Sequence, residues 1–185
     1  DGTQALAPIL ASTCHLTTLH LGHNNLQDDG CQVLMAALHK NTTLTQLSIN
    51  HNNLTPKSAP AIAQMLENNQ TLLTFRIRNN AFGPNGILQI VKSLDKHPQI
   101  EALDLSYTKI TLETPEWADM LQVMTENRTL TRVQYQEEEF NHWHAAQLLT
   151  TAHKNWSLRH IALRFSDDTP EVLDESEKVV QALRE

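Results

Sequence analysis

Leu44-Thr45-Gln46-Leu47-Ser48-Ile49-Asn50-His51-Asn52-Asn53-Leu54 is the stretch whose reading settles the architecture. Large apolar residues stand at positions 1, 4, 6 and 11, and an asparagine stands at position 9. Twenty-eight residues upstream the same frame is Leu16, Leu19, Leu21, Asn24 and Leu26; 28 downstream it is Leu72, Phe75, Ile77, Asn80 and Phe82. Further copies open at Ile100, Leu130 and Leu158, so the six starts are spaced by 28, 28, 28, 30 and 28 residues. A fixed period of this length marks stacked supersecondary units, that is, a solenoid.

Each repeat changes its periodicity half-way. Alternation around positions 4 and 6 reads as a short strand with the even positions facing the core. Spacing of i, i+3, i+4, i+7 then takes over in Cys31-Leu34-Met35-Leu38, Ala59-Ile62-Ala63-Leu66, Ile87-Ile90-Val91-Leu94, Trp117-Met120-Leu121-Met124 and Ala145-Leu148-Leu149-Ala152. These are helices with one apolar stripe, and no single repeat buries its stripe alone. Asp28-Asp29, Pro56, Pro84-Asn85 and Thr114-Pro115 suit helix starts. Asn41, Asn69, His97, Asn127 and Asn155 each stand three residues before the next frame. Asparagine tolerates left-handed backbone, so these positions are expected to close the helices in that conformation.

The frame L-x-x-L-x-L-x-x-N-x-L, carried by the residues quoted above, resembles the leucine-rich repeat. A 28-residue unit with a full helix is similar to the ribonuclease-inhibitor-like class of that family. The resemblance implies an α/β horseshoe, with a parallel sheet on the concave side and helices on the convex side. Residues 1–185 then form one domain: a partial repeat at 1–15, repeats from 16, 44, 72, 100, 130 and 158, and a degenerate C-terminal cap at 166–185. The opening Asp1-Gly2-x-Gln4-x-Leu6 matches Asp29-Gly30-x-Gln32-x-Leu34, so the chain is expected to begin at the helix of a repeat whose strand lies upstream.

Composition narrows the function. A net charge of -7 disfavours a nucleic-acid backbone or an anionic membrane as the main partner. No apolar run approaches the roughly 20 residues that span a bilayer. The only cysteines are Cys14 and Cys31, and Cys31 falls on an apolar helix position, which points to reduced thiols and a cytoplasmic setting. No Walker loop, glycine-rich dinucleotide turn, nucleophile elbow or HExxH sequence occurs, so the chain is read as non-enzymatic and without a cofactor. His20, His23 and His51 fall in adjacent repeats but lack a neighbouring carboxylate or thiolate, so they are read as polar surface and not as a metal site. Sequons at Asn41, Asn53, Asn69, Asn127 and Asn155 are mostly the repeat grammar itself, because four of them are the helix-end asparagines.

Positions 3, 5, 7 and 8 of each repeat are expected on the concave face or its rim. There the early strands are neutral and polar, and a basic band with aromatic residues follows. The candidate partner-binding residues are Arg76, Arg78, Asp104, Tyr107, Arg132, Gln134, Arg164 and Phe165. Arginine and aromatic side chains dominate interface energetics, and the band favours a protein with an acidic patch. Trp117 occupies a helix core position, whereas Trp143 and Trp156 sit at polar positions of the repeat and mark a possible second contact around repeat five. Asn, Gln, His and Thr are abundant and glycine scarce, a usage similar to leucine-rich-repeat effectors of intracellular bacterial pathogens, which act in the host cytosol. The same repeat class also occurs in sensor domains of immune receptors and in Ran-type GTPase-activating proteins. The expectation is a protein-binding scaffold that uses its concave face, with those two as alternatives.

Overall fold

The computed structural model describes residues 2–12, 15–112, 114–137, 142–155 and 157–163. Six short strands, β1 (Thr18–His20), β2 (Gln46–Ser48), β3 (Thr74–Arg76), β4 (Ala102–Asp104), β5 (Arg132–Tyr135) and β6 (His160–Leu163), form one parallel sheet in chain order. The register follows the repeat: Leu19, Leu47, Phe75, Leu103, Val133 and Ile161 lie side by side. Helices α1 (Gly2–Ala11), α2 (Gln27–Leu38), α3 (Ala59–Asn68), α4 (Gly83–Ser93), α5 (Pro115–Glu126) and α6 (His142–Lys154) cover the other face. Short 3-10 turns at Pro56–Ser58 and Leu94–Lys96 flank α3 and extend α4. The fold is an open leucine-rich-repeat solenoid, with strands on the concave side and helices on the convex side. The C-terminal cap expected from 166 onward lies outside the described residues.

The core is the set of frame positions. From repeat two onward positions 1, 4 and 6 are buried, except that Leu163 is half-buried. The helical stripes meet them: Cys31, Leu34, Met35, Leu38, Ile62, Leu66, Ile87, Ile90, Trp117 and Met120 are all buried. Removing a buried Leu or Ile side chain from water contributes about 1.5–3 kcal/mol, so the frame supplies most of the cohesion between repeats. Repeat one lies at the edge of the sheet, and Leu16 there is 37% exposed. Cys31 is a free thiol whose pKa burial pushes up to about 12, so it behaves as a small apolar residue.

Asparagines tie one repeat to the next in two ladders. In the first, at position 9, the Asn52 side-chain carbonyl accepts from the backbone N–H groups of Asn24 and Leu26, and its amide donates to the Leu21 carbonyl at 2.8 Å. Asn80 does the same one repeat on, accepting from Asn52 and Leu54 and donating to Ile49. Repeat four has Thr108 at this position, and its hydroxyl donates to Leu105 within its own repeat. Glu137 takes over the acceptor role for that repeat, receiving N–H bonds from Thr108 and Ile110.

The second ladder corrects the expectation for the helix ends. Asn69 (φ −73°, ψ 136°), His97 (φ −83°, ψ 122°) and Asn127 (φ −61°, ψ 141°) are extended, not left-handed. At these three residues the chain leaves the helical segment in β conformation, and the side chain caps the turn that follows. Asn69 Oδ1 accepts from Thr71 N and Leu72 N, while its Nδ2 reaches back to the carbonyls of Leu38 and Asn41. Asn41 and Asn155 repeat the arrangement. The four helix-end sequon asparagines are therefore buried and spoken for. Helix starts follow the sequence in part. Thr114 accepts from Trp117 N with Pro115 next to it, whereas Leu26 and Phe82 cap α2 and α4 without a side-chain bond. Asp28 lies inside α2 and braces the next repeat, accepting from Thr55 N at 2.9 Å, Thr55 Oγ1 at 2.7 Å and Ser58 Oγ.

Two stability predictions follow from these bonds. His97 Nδ1 accepts from Gln99 N and Ile100 N, but its buried Nε2 has no partner. Burial holds its pKa down at about 4, against an ordinary 6.5. The folded pKa lies below the unfolded one, so stability is full above pH ~6.5 and falls as the pH drops toward ~4, by on the order of 3 kcal/mol. His97→Asn should remove that loss and raise the melting temperature at neutral pH, since an asparagine amide can reach the Leu66 and Asn69 carbonyls. Coincident pH–stability curves for the two proteins, measured by urea unfolding, would refute the assignment. For Asp28, burial alone raises the carboxyl pKa, but bonds from Ser58 and Thr55 outweigh it and hold the group below its ordinary 3.8. Its contribution is present above pH ~4 and lost as the pH falls further. Asp28→Asn should cost about 1–2 kcal/mol at pH 7 and much less at pH 3.

Candidate functional site

Parallel register places each concave column at strand spacing, ~4.8 Å per step. At position 5, Arg76 lies beside Asp104, and Asp104 beside Gln134; at position 3, Ala102 lies beside Arg132. Arg76, Arg78, Tyr107 and Gln134 are half-buried and Arg132 is exposed, so all five present surface. Asp104 presents little: it is buried, and its Oδ1 accepts from Ser106 N at 3.0 Å. Arg76 and Asp104 are register partners without an ion pair. Among the described residues the ion pairs are Lys92–Asp119 and Lys96–Glu67, both on the helical side. Arg164 and Phe165 lie outside the described residues.

Arg78 and Tyr107 meet. The Arg78 guanidinium carbon sits 4.9 Å from the centre of the Tyr107 ring, a cation–π contact. The contact holds the charged group flat against the rim. Tyr107 belongs to a column at position 8 that begins with His23, His51 and Asn79. The His23 and His51 rings stack with centres 4.0 Å apart and planes 17° from parallel. Stacked faces direct the ring nitrogens side by side and do not converge them on one point. Asn79 Nδ2 lies 2.7 Å from His51 Nδ1, so that nitrogen is the acceptor in the neutral ring. Among the described residues no group of three or more metal-ligating side chains assembles.

Two grooves flank this surface. One, of about 460 Å³, lies at the rim between Arg78, Tyr107, Lys109, Ile110, Leu112 and Glu137. The other, of about 530 Å³, runs between α5 and α6 on the helical side, where Trp117, Leu121, Trp143 and Gln147 line it. Trp117 is buried, as its stripe position requires, and its indole N–H donates to Gln147. Trp143 is 51% exposed; Trp156 lies outside the described residues. Taking positions 3, 5, 7 and 8 as the face leaves out Lys109 at position 10 and Leu112, and Ile110 reads as the apolar residue of position 11. The asparagines at position 10 in repeats one and two, Asn25 and Asn53, were the available signal of special backbone there.

A family model described as Leucine Rich repeat matches residues 13–35 and 40–63. These matches fall on the first two repeats, and the fold around them is that of a leucine-rich-repeat solenoid. No curated protein sequence matches the chain. Among solved structures, this leucine-rich-repeat solenoid is similar to the actin-binding site 2 domain of leiomodin-1, at 17% identity and a TM-score of 0.71, covering 100% of this chain and 95% of that one. It is also similar to the C-terminal domain of tropomodulin from Caenorhabditis elegans, at 8% identity and a TM-score of 0.56, covering 100% of this chain and 94% of that one. At these identities the likeness is one of fold. No helix among the described residues is long and apolar enough to cross a membrane.

The histidine stack yields a prediction of its own. His51 titrates below its ordinary 6.5, because burial and then the charges of His23 and Arg78 disfavour its cation. His23→Ala should move the His51 midpoint upward, followed by NMR of the ring carbons. A midpoint that stays in place would show that the two rings do not sense each other in solution.

Proposed function

We propose that this protein is a non-enzymatic binding scaffold that takes a partner protein on its concave sheet, through Arg76, Arg78, Tyr107, Arg132 and Gln134. One observation carries the reading. Among the described residues, three guanidinium groups share this face without an ion-pair partner, in a chain whose net charge is -7. An uncompensated basic band on an acidic protein favours an acidic surface and excludes basic ones. Arg78 held against Tyr107 is a preordered anchor of the kind that dominates interfaces. Arg164 and Phe165 belong to the same columns by repeat position and extend the proposed face. The leiomodin-1 domain, similar in fold, is named for binding actin, which supports protein binding as the use of the architecture. Monomeric actin is accordingly a first purified candidate partner. The finer reading is an effector of an intracellular bacterial pathogen acting in the host cytosol. The residue usage and the buried thiol of Cys31, suited to a reducing compartment, support it.

The test compares two variants in capture from host-cell lysate, followed by titration of the purified partner. Arg76→Ala with Arg132→Ala should weaken binding by more than about 2 kcal/mol, roughly 30-fold, and leave the melting temperature in place. Affinity of the unmodified chain should fall as salt rises. Trp143→Ala should leave binding unchanged. A partner lost with Trp143→Ala and retained by the arginine variant would move the interface to the groove between α5 and α6.

A further inference from the structure

Left-handed backbone recurs where the chain leaves each of the first four strands. Position 8 adopts it in the first four repeats, at His23 (φ 62°), His51 (53°), Asn79 (54°) and Tyr107 (54°); position 10 adopts it at Asn25 (50°), Asn53 (56°) and Lys109 (58°). Glycine takes this conformation freely, and asparagine tolerates it through its short polar side chain. Tyrosine and lysine have neither advantage. Repeat four fills both positions with large side chains; elsewhere among the described residues only Gln27 (φ 55°) is left-handed without being glycine, asparagine or histidine. Strain of this kind clusters at ligand-binding sites.

Those two side chains line the 460 Å³ rim groove. Its apolar part is the buried Ile110 and the half-buried Leu112; Tyr107 forms a wall. Its charges are Arg78, Lys109 and Glu137. The carboxylate is engaged, accepting from Thr108 N at 2.7 Å and Ile110 N at 3.4 Å. Neither cation has an ion pair among the described residues. The groove thus offers two cations without an ion pair, and a net positive charge, beside an apolar floor.

We infer that this rim groove binds an acidic–apolar peptide segment of a partner protein. An Asp or Glu side chain sits between Arg78 and Lys109, and a neighbouring aliphatic or aromatic side chain lies on Ile110 and Leu112. The inference rests on the scaffold reading and adds to it a second, peptide-sized contact at the rim, which shares Arg78 and Tyr107 with the concave face. Tyr107 and Lys109 are retained in strained backbone because this ligand needs them.

The test pans a displayed library of random linear nonapeptides against the full chain and measures the selected peptides by fluorescence anisotropy. Selected sequences should carry Asp or Glu next to Leu, Ile, Val or Phe. Tyr107→Asn with Lys109→Asn should weaken them by about tenfold or more, with a melting temperature equal to or above that of the unmodified chain, since asparagine relieves the strain. Arg78→Gln should weaken them similarly. Arg76→Ala with Arg132→Ala should change them by no more than about twofold. An empty selection, peptides without an acidic residue, or acidic peptides that bind the Tyr107→Asn, Lys109→Asn variant as tightly would each overturn the inference. Peptides lost with Arg76 and Arg132 alone would overturn it too while leaving the concave scaffold standing.

Discussion

A buried backbone N–H or carbonyl without a partner costs about 1–3 kcal/mol, and every turn of a solenoid exposes several to its neighbour. Side-chain amides meet that constraint here. Asparagine carries a donor and an acceptor on one short stem, so a single residue can close its own turn and reach the carbonyls of the preceding repeat. Asn69 makes four such bonds at once. Because the bonds that run between repeats join residues 26 to 31 apart in sequence, they force each apolar frame to sit over the last. The hydrophobic stripes then stack without any single repeat having a core of its own.

This constraint explains what could be read from the residues and what could not. The frame at Leu44, Leu47 and Ile49 recurs often enough to reveal strand, helix and register together, and the structure keeps even the two-residue step before β5. The asparagines were legible as helix ends but misread in mechanism. A residue type announces that a turn is special, not whether its backbone or its side chain makes the turn. At Asn69 and Asn127 the side chain does so, and left-handed backbone occurs instead at positions 8 and 10. The site shows the same split. Columns at 28-residue spacing brought Arg78 near Tyr107 before any coordinates did. They also set Arg76 beside Asp104, yet Asp104 turns to the Ser106 N–H. A local bond two residues away outcompeted a cross-strand charge pair, a choice that periodicity does not encode.

The charge of the molecule is uneven in a useful way. The pairs Lys92–Asp119 and Lys96–Glu67 engage two lysines of the helical side, and such exposed pairs contribute little to stability. Among the described residues of the sheet side, Arg76, Arg78 and Arg132 make no ion pair. An acidic protein with a bare basic face repels its own copies less at that face than elsewhere, and it orients an acidic partner during approach.

Among the described residues, repeat three is joined to repeat four by fewer side-chain bonds than to repeat two. His97, at the end of its helix, closes its own turn but sends no bond back to repeat two, and Thr108 sends none back from repeat four. Backbone strand bonds and apolar stacking cross both boundaries; Asn80 and the Lys96–Glu67 pair also brace repeat three on repeat two, whereas the exposed Lys92–Asp119 pair and the Arg78–Tyr107 contact link repeats three and four. Under a pulling force along the superhelix, load therefore concentrates on the boundary between repeats three and four, and the solenoid flexes there first. The compliant joint carries Arg76 and Arg78. The curvature of the array can thus adjust beneath the residues that meet a partner, while the amide-braced repeat before it remains stiff.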